Sequence, residues 1–334
     1  MRAADLEGLD AFALLGPGFG EGHWLLLTGL RETADRPLLF FAGFEAAAGD
    51  VRRLAAASCE PVEVTLEPPP RRPAVSLRAP GYHAAVARIR GAIAAGDVYQ
   101  VCHTVRADVS ACSGAELLAL MAAGGIPRFA AWVRLPGGGE FVSASPELFF
   151  ETDGAHVHTE PMKGTASRGS DEALEVSEKD AAELAMITDL LRNDLTPVCR
   201  PGSVRVAAPR RFVRLPYAVQ AVSDVEGALL PGATPIDVLA ALHPGGSVTG
   251  APKEAALGMI RELECGPRGA YCGALGLWRG DRSACSLLIR TASRTPDGWT
   301  YGVGSGIVWD SDADAELREV RVKLGALGCD TPSS

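Results

Sequence analysis

Strand-length apolar stretches, set between helical segments and never joined into a long run, constrain this chain most. The longest, HWLLLTGL (23–30) and PLLFFAGF (37–44), fall far short of the ~20 apolar residues that a membrane helix needs. Strand signals recur at 97–109, through 130–160, near 204–206 and 217–226, and at 270–278, 286–293 and 299–307. Helical patterning is confined to 82–95, 114–123, 177–195, 235–242, 252–263 and 312–327, with Ser177 a candidate N-cap. No internal repeat is visible. Meandering strands with segregated helices predict an α+β fold with large, mainly antiparallel sheets. The Pro/Arg-rich stretch EPPPRRPAVSLRAPG (67–81) reads as an extended linker. It separates a short N-terminal segment, 1–66, integrated with the core, from the main body, 82–328.

Charge narrows the function classes. A net charge of −9 argues against nucleic-acid binding, which needs a cationic face. No membrane partner is expected, and MRAADLEGLD lacks the apolar segment of a signal peptide. The eight cysteines show no CxxC or CxxH spacing, so reduced thiols in a cytoplasmic protein are expected. Of the 32 basic residues only four are lysines: Lys163, Lys179, Lys253 and Lys323. A coding bias toward Arg and Ala accounts for the imbalance. Under such a bias Lys survives mainly where a compact amine that can lose its proton is needed, since Arg never does.

Two helices each carry a carboxylate pair. Asp180 and Glu183 are three apart, as are Glu316 and Glu319, with Lys323 four further on. Together they would suit Mg²⁺, which prefers carboxylate oxygens plus substrate oxygens and water. Acidic pairs at this spacing also occur on ordinary solvated faces, so spacing alone leaves both readings open. ELFFETDGAHVHTE (147–160) reads as a hairpin with a two-residue Asp153-Gly154 turn. That register pairs Glu147 with Glu160 and Ala144 with Lys163, leaving Lys163 ~10 Å along the strand from Glu147. An acid and an amine this close could do general-acid and nucleophilic work, provided Pro161 or a bulge redirects the strand. A surface lysine after a hairpin is the plain alternative. HPGGSVTGAPK (243–253) could cradle a phosphate before a helix, but it lacks the Walker spacing, and nucleotide binding is disfavoured.

Taken together, these strings resemble the chorismate-utilising enzymes. The matching segments are GDVYQV (96–101), SASPELFF (143–150), PMKGTASRG (161–169), SEKDAAELAMITDLLRNDL (177–195), PGSVRV (201–206), HPGGSVTGAPK (243–253), RGAYCGALG (268–276), IRTAS (289–293) and GVGSGIVWDSDADAELREVRVK (302–323). They run in the family's order across 82–327, and all four lysines lie inside them. The resemblance implies an anthranilate synthase component I-like α+β fold, its sheets packed as a sandwich with helices outside, and makes 82–328 the chorismate-binding catalytic domain. Lys163 in P-x-KGT is the pattern of the aminodeoxychorismate synthase component I branch, where anthranilate synthases usually have Ala. Gln100 stands where isochorismate and salicylate synthases carry a water-activating Lys.

The resemblance also implies a mechanism. Glu183 and Glu319 would hold Mg²⁺ on the ring carboxylate of chorismate, supported by Asp180 and Glu316. Neutral Lys163 would add at C2 while Glu147 protonates the departing C4 hydroxyl, with His243 near that oxygen. Ammonia would attack C4 and expel Lys163, giving 4-amino-4-deoxychorismate for 4-aminobenzoate and folate supply. Arg290, Lys323 and the backbone near Gly304 would grip the enolpyruvyl carboxylate. Gly164 and Thr165 would face the ring carboxylate, Thr249, Gly250 and Tyr271 would line the pocket beside Gln100, and a glutamine amidotransferase partner would supply the ammonia. Lys179 and Lys253 are expected to be structural. The competing readings are anthranilate or 2-amino-2-deoxyisochorismate synthesis, for which Lys163 is the wrong residue, and a non-catalytic amidotransferase-binding scaffold. Cys102–His103 replaces the family's usual Asn–Leu, and 1–81 hold no tryptophan-binding LLES-like motif.

Overall fold

Phe12–Leu15 turns Phe12 and Leu14 to one face and Ala13 and Leu15 to the other, and all four side chains are buried. A strand covered on both faces belongs in the middle of layered structure, and the computed structural model of the chain bears this out. It describes residues 1–19, 24–33, 39–69, 71–166, 178–214 and 219–327. Ala13, Leu15, Leu25 and Leu27 meet Leu39, Leu54, Leu275 and Leu277 in one apolar core. Phe12, Leu14 and Trp132 pack instead in the larger core that includes the helices Tyr82–Ala95 and Gly114–Met121.

The first sheet runs Gly250–Ala251, Gln100–Ser110, Gly298–Ile307, Thr291–Thr295, Glu140–Ser145, Phe129–Arg134, Phe12–Leu15, Trp24–Thr28, Ser58–Val62. The second runs Met162–Ala166, Val219–Ala228, His156–Thr159, Leu148–Thr152, Arg282–Leu287, Ala274–Arg279, Leu39–Ala42, Arg52–Ala55, Arg31–Glu32, with Arg205–Arg214 also on Val219–Ala228. All these pairings are antiparallel. Phe41 of the second sheet stacks on Phe141 of the first, ring centroids 5.2 Å apart. The fold is therefore α+β with two large antiparallel sheets, as expected.

Three expectations need correction. The stretch 67–81 is not all linker: Val75–Arg78 pairs with Gln100–Ser110, Val75 and Leu77 half-buried and Ser76 and Arg78 exposed. Its alternation, not its prolines, decides its state. The hairpin forms, but Thr152 pairs with Val157 and Glu151 with His158. The Asp153 carboxylate accepts the Ala155 and His156 N–H groups at 3.0 and 2.7 Å, which leaves residues 153–155 between the strands and shifts the register. Ala144 accordingly pairs with Ala130, and Lys163 with Ala221. Finally, 286–293 is not one strand, because the chain leaves the second sheet after Leu287 and enters the first at Thr291. Arg290, at φ 51°, makes the bend. Ser177 and residues 217–218 lie outside the described residues.

Candidate active site

Glu147 and Arg290 occupy two places where the chain changes sheets. Glu147 lies between Glu140–Ser145 and Leu148–Thr152, and Arg290 between Arg282–Leu287 and Thr291–Thr295. The Ala144 N–H donates to the Arg290 carbonyl at 3.0 Å and ties the crossovers together. Glu147 is buried and accepts the Ser247 hydroxyl at 2.9 Å. Burial pushes its carboxyl up to about 7, although the Ser247 bond and the charge of Lys163 pull the other way. A carboxyl poised there can donate a proton near neutrality.

Lys163 comes from the edge strand Met162–Ala166, whose register against Val219–Ala228 shifts between Lys163 and Thr165. Gly164 is the extra residue of that bulge, but the register runs unbroken from Thr159 opposite Val225 to Met162 opposite Val222, so the bulge expected between Glu160 and Lys163 does not form. The Lys163 amine lies 3.5 Å from Glu183 Oε2, on the helix Glu178–Leu195. Burial works against its charge, but Cys102, Glu183 and Glu147 outweigh burial and hold its pKa above the usual lysine value. Opposite stands Gly306, where a Cβ would lie 2.6 Å from Gln100 Nε2 and 3.4 Å from Lys163 Nζ. Gln100 and Lys163 thus converge on the space that Gly306 leaves. Gly250 pairs alongside the Gln100 strand on its other edge at φ 140°, and a Cβ there would fall 2.1 Å from the Gln100 carbonyl oxygen.

Two residues along from Gly306, the Gly304 carbonyl accepts the Lys323 amine at 2.7 Å. Lys323 also pairs with Glu319 at 2.7 Å on the helix Ala313–Lys323. Glu316 is buried and accepts the Ser311 hydroxyl at 2.7 Å. Glu183 and Glu319 therefore come from two different helices and meet lysines stationed over one strand, while Asp180 is half-buried on the Glu183 helix. Carboxylates of this kind fit Mg²⁺ in their donor chemistry. Among the described residues, the one close-set group of three metal-competent side chains lies elsewhere: His158, Glu160 and Asp224. Glu160 pairs there with Arg128 and Arg211, and Arg211 also takes Asp224, so guanidinium groups already supply the positive charge.

His243 gives its Nε2 proton to the Gly43 carbonyl at 2.9 Å. Burial lowers its pKa and keeps it neutral, and Nδ1 is buried with no partner among the described residues. The Thr249 hydroxyl donates to the Gly245 carbonyl at 2.9 Å. Tyr271 lies flat on Gly302, where a Cβ would fall 2.1 Å from its ring. The side chains of Thr165 and Lys179 lie outside the described residues. Lys253 binds Asp194 at 2.6 Å and the Leu242 carbonyl at 3.1 Å, fixing a helix end.

Sequence reasoning missed the support beneath these groups. Arg268 is buried, bonds Glu264 at 2.6 and 2.9 Å, and donates to the Val248 and Cys102 carbonyls at 2.7 and 2.8 Å. Its guanidinium lies 4.3 Å over the Phe44 ring. Cys102 donates to the Ser247 carbonyl at 3.1 Å. The signal for Arg268 was its place in RGAYCGALG, but nothing there announces a buried cation.

Residues 42–328 match the family described as chorismate binding enzyme. The chain belongs to that family. It is 37% identical to an aminodeoxychorismate synthase of Streptomyces pristinaespiralis over 320 residues, 90% of this chain and 43% of that protein. It is 43% identical to anthranilate synthase component 1 1 of Haloarcula marismortui over 208 residues, 60% of this chain and 42% of that one. The chain thus spans less than half the length of these curated relatives. In fold it is similar to MenF, the menaquinone-specific isochorismate synthase of Escherichia coli, with TM-score 0.77, 17% identity and coverage of 97% and 89%. No helix among the described residues is long and apolar enough to cross a membrane.

Proposed function

We propose that this protein converts chorismate and ammonia to 4-amino-4-deoxychorismate, with ammonia delivered by a glutamine amidotransferase partner. The observation that supports this reading most is the Lys163 amine, buried between Glu183 and the space over Gly306 beside Gln100. A nucleophile is needed there only if the amino group is to enter at C4. Lys163, its ammonium proton first passed to water, adds through Nζ to C2. Both double bonds of the ring diene shift, and the C4–O bond breaks as Glu147 passes its proton to the leaving hydroxyl, which departs as water. Ammonia then forms the C4–N bond, the two double bonds shift back, and Lys163 departs with its electron pair as the free amine. Arg290 and Lys323 hold the enolpyruvyl carboxylate, and neutral His243 offers Nδ1 to a hydroxyl proton. Glu183 and Glu319, helped by Asp180 and Glu316, would hold Mg²⁺, which when bound supplies positive charge for the ring carboxylate.

The match that covers 90% of the chain, to an aminodeoxychorismate synthase, supports this branch over the anthranilate branch. The test is incubation with chorismate, Mg²⁺ and ammonium, followed by a lyase that releases 4-aminobenzoate. The reading requires 4-aminobenzoate in the wild type and none with Lys163→Met. Direct formation of anthranilate overturns it.

A further inference from the structure

Gln100 is wholly buried, and its carbonyl oxygen Oε1 has no hydrogen-bond partner among the described residues. A buried acceptor left unpaired is costly, so its position calls for a donor that the described residues do not provide. The other end of the same amide is engaged: Nε2 approaches Cys102 Sγ at 3.7 Å. Cys102 stands on the same strand, opposite Gly306, and sends its own proton to the Ser247 carbonyl at 3.1 Å. Ser247 in turn gives its hydroxyl to Glu147. One thiol therefore links the amide beside Lys163 to the residue that steadies the buried acid.

We propose that Cys102 is a positioning residue for an amine subsite: by accepting from Gln100 Nε2 it keeps Gln100 Oε1 turned out for a small N–H donor beside Lys163. The ligand class is ammonia or a primary amine no larger than the space over Gly306. This rests on the proposed function, in which ammonia is the second substrate. Sulfur is a weak acceptor and a weak donor, so it fixes the amide without competing for the oxygen. A side chain of similar size lacking both functions would let the amide rotate and the Ser247 carbonyl drift.

The test compares Cys102→Val with Cys102→Ser, reading KM for ammonium, KM for chorismate and kcat separately. Cys102→Val is expected to raise KM for ammonium by roughly five- to tenfold, the size of one lost hydrogen bond, and to leave KM for chorismate within about twofold. Cys102→Ser, which keeps a donor and an acceptor, restores the ammonium KM. Loss of a purely architectural cysteine would lower kcat and raise both KM terms together. An unchanged ammonium KM in Cys102→Val, or no rescue by Ser, overturns the proposal.

A second arm needs no turnover. Iodoacetamide labelling, read by peptide mass spectrometry, is expected to reach Cys102 several-fold faster in Gln100→Leu than in the wild type, with exposed Cys265 as internal reference. Equal rates overturn the Cys102–Gln100 link. Faster labelling combined with a wild type that fails to aminate chorismate overturns the proposed function and the amine subsite, while the thiol–amide contact stands.

Discussion

The Lys163 amine and the Glu183 carboxylate lie 3.5 Å apart, both largely buried, and each is the other's charge partner. Breaking a buried pair from one side strands the remaining charge. Lys163→Met should therefore destabilise the fold by ~3 kcal/mol or more, and Lys163→Met with Glu183→Leu should recover much of that loss. Urea unfolding of the single and double variants measures this apart from any reaction.

Glu147 makes a prediction about pH. Its carboxyl is raised from 4.5 to about 7, so between those values the folded chain holds a proton that the unfolded chain has released. Stability should fall as pH rises through this window, by on the order of 3 kcal/mol, and level off above it. Glu147→Gln should flatten the slope and be the more stable protein at pH 8. If Glu147 is the acid, kcat of the wild type should decline above pH 7, and Glu147→Gln should lose ~10²–10⁴-fold at every pH.

His158 contributes a pH slope of the same sign as Glu147, because folding raises its pKa too. The Glu151 hydrogen bond raises its pKa, assisted by Asp224 and opposed by burial. The stabilisation is complete below the ordinary histidine value and is lost as pH rises through the raised one. His158→Gln should remove that loss, leaving wild type and variant closest in thermal stability at alkaline pH. Chorismate turnover should be untouched.

Arg268 holds two backbone carbonyls and Glu264 in a buried cluster. Arg268→Ala leaves the Glu264 carboxylate buried without its cation and should cost ~3–5 kcal/mol. Arg268→Lys should recover little, because one ammonium cannot serve the Val248 and Cys102 carbonyls and a two-point contact with Glu264. Chemical denaturation distinguishes these outcomes.

Helical elements and the acidic pairs were legible because i,i+3 spacing and capping are local. The Lys163 bulge was legible only in the wrong place: the pleat called for it between Glu160 and Lys163, whereas the register shifts only after Lys163. The hairpin register was not legible: Asp153-Gly154 signals a two-residue turn, but the Asp153 carboxylate captured two N–H groups and lengthened it. Nor were the sheet crossovers. At 143–150 and 286–293 strand-like residues occupy both ends, which are buried in different sheets, and local sequence does not record which partner strand buries each end. Arg268 escaped, and Cys102 was legible only as a departure from the family pattern, because burial of a charge or a thiol depends on neighbours far away in the chain.

The crossovers at Glu147 and Arg290 make the site a seam. Each residue belongs to neither sheet alone, so its position registers how one sheet is aligned on the other. A slip between the layers too small to disturb any ladder of backbone hydrogen bonds would still misplace the acid and the guanidinium together. The quality of the whole sandwich is thereby written into the spacing of two side chains.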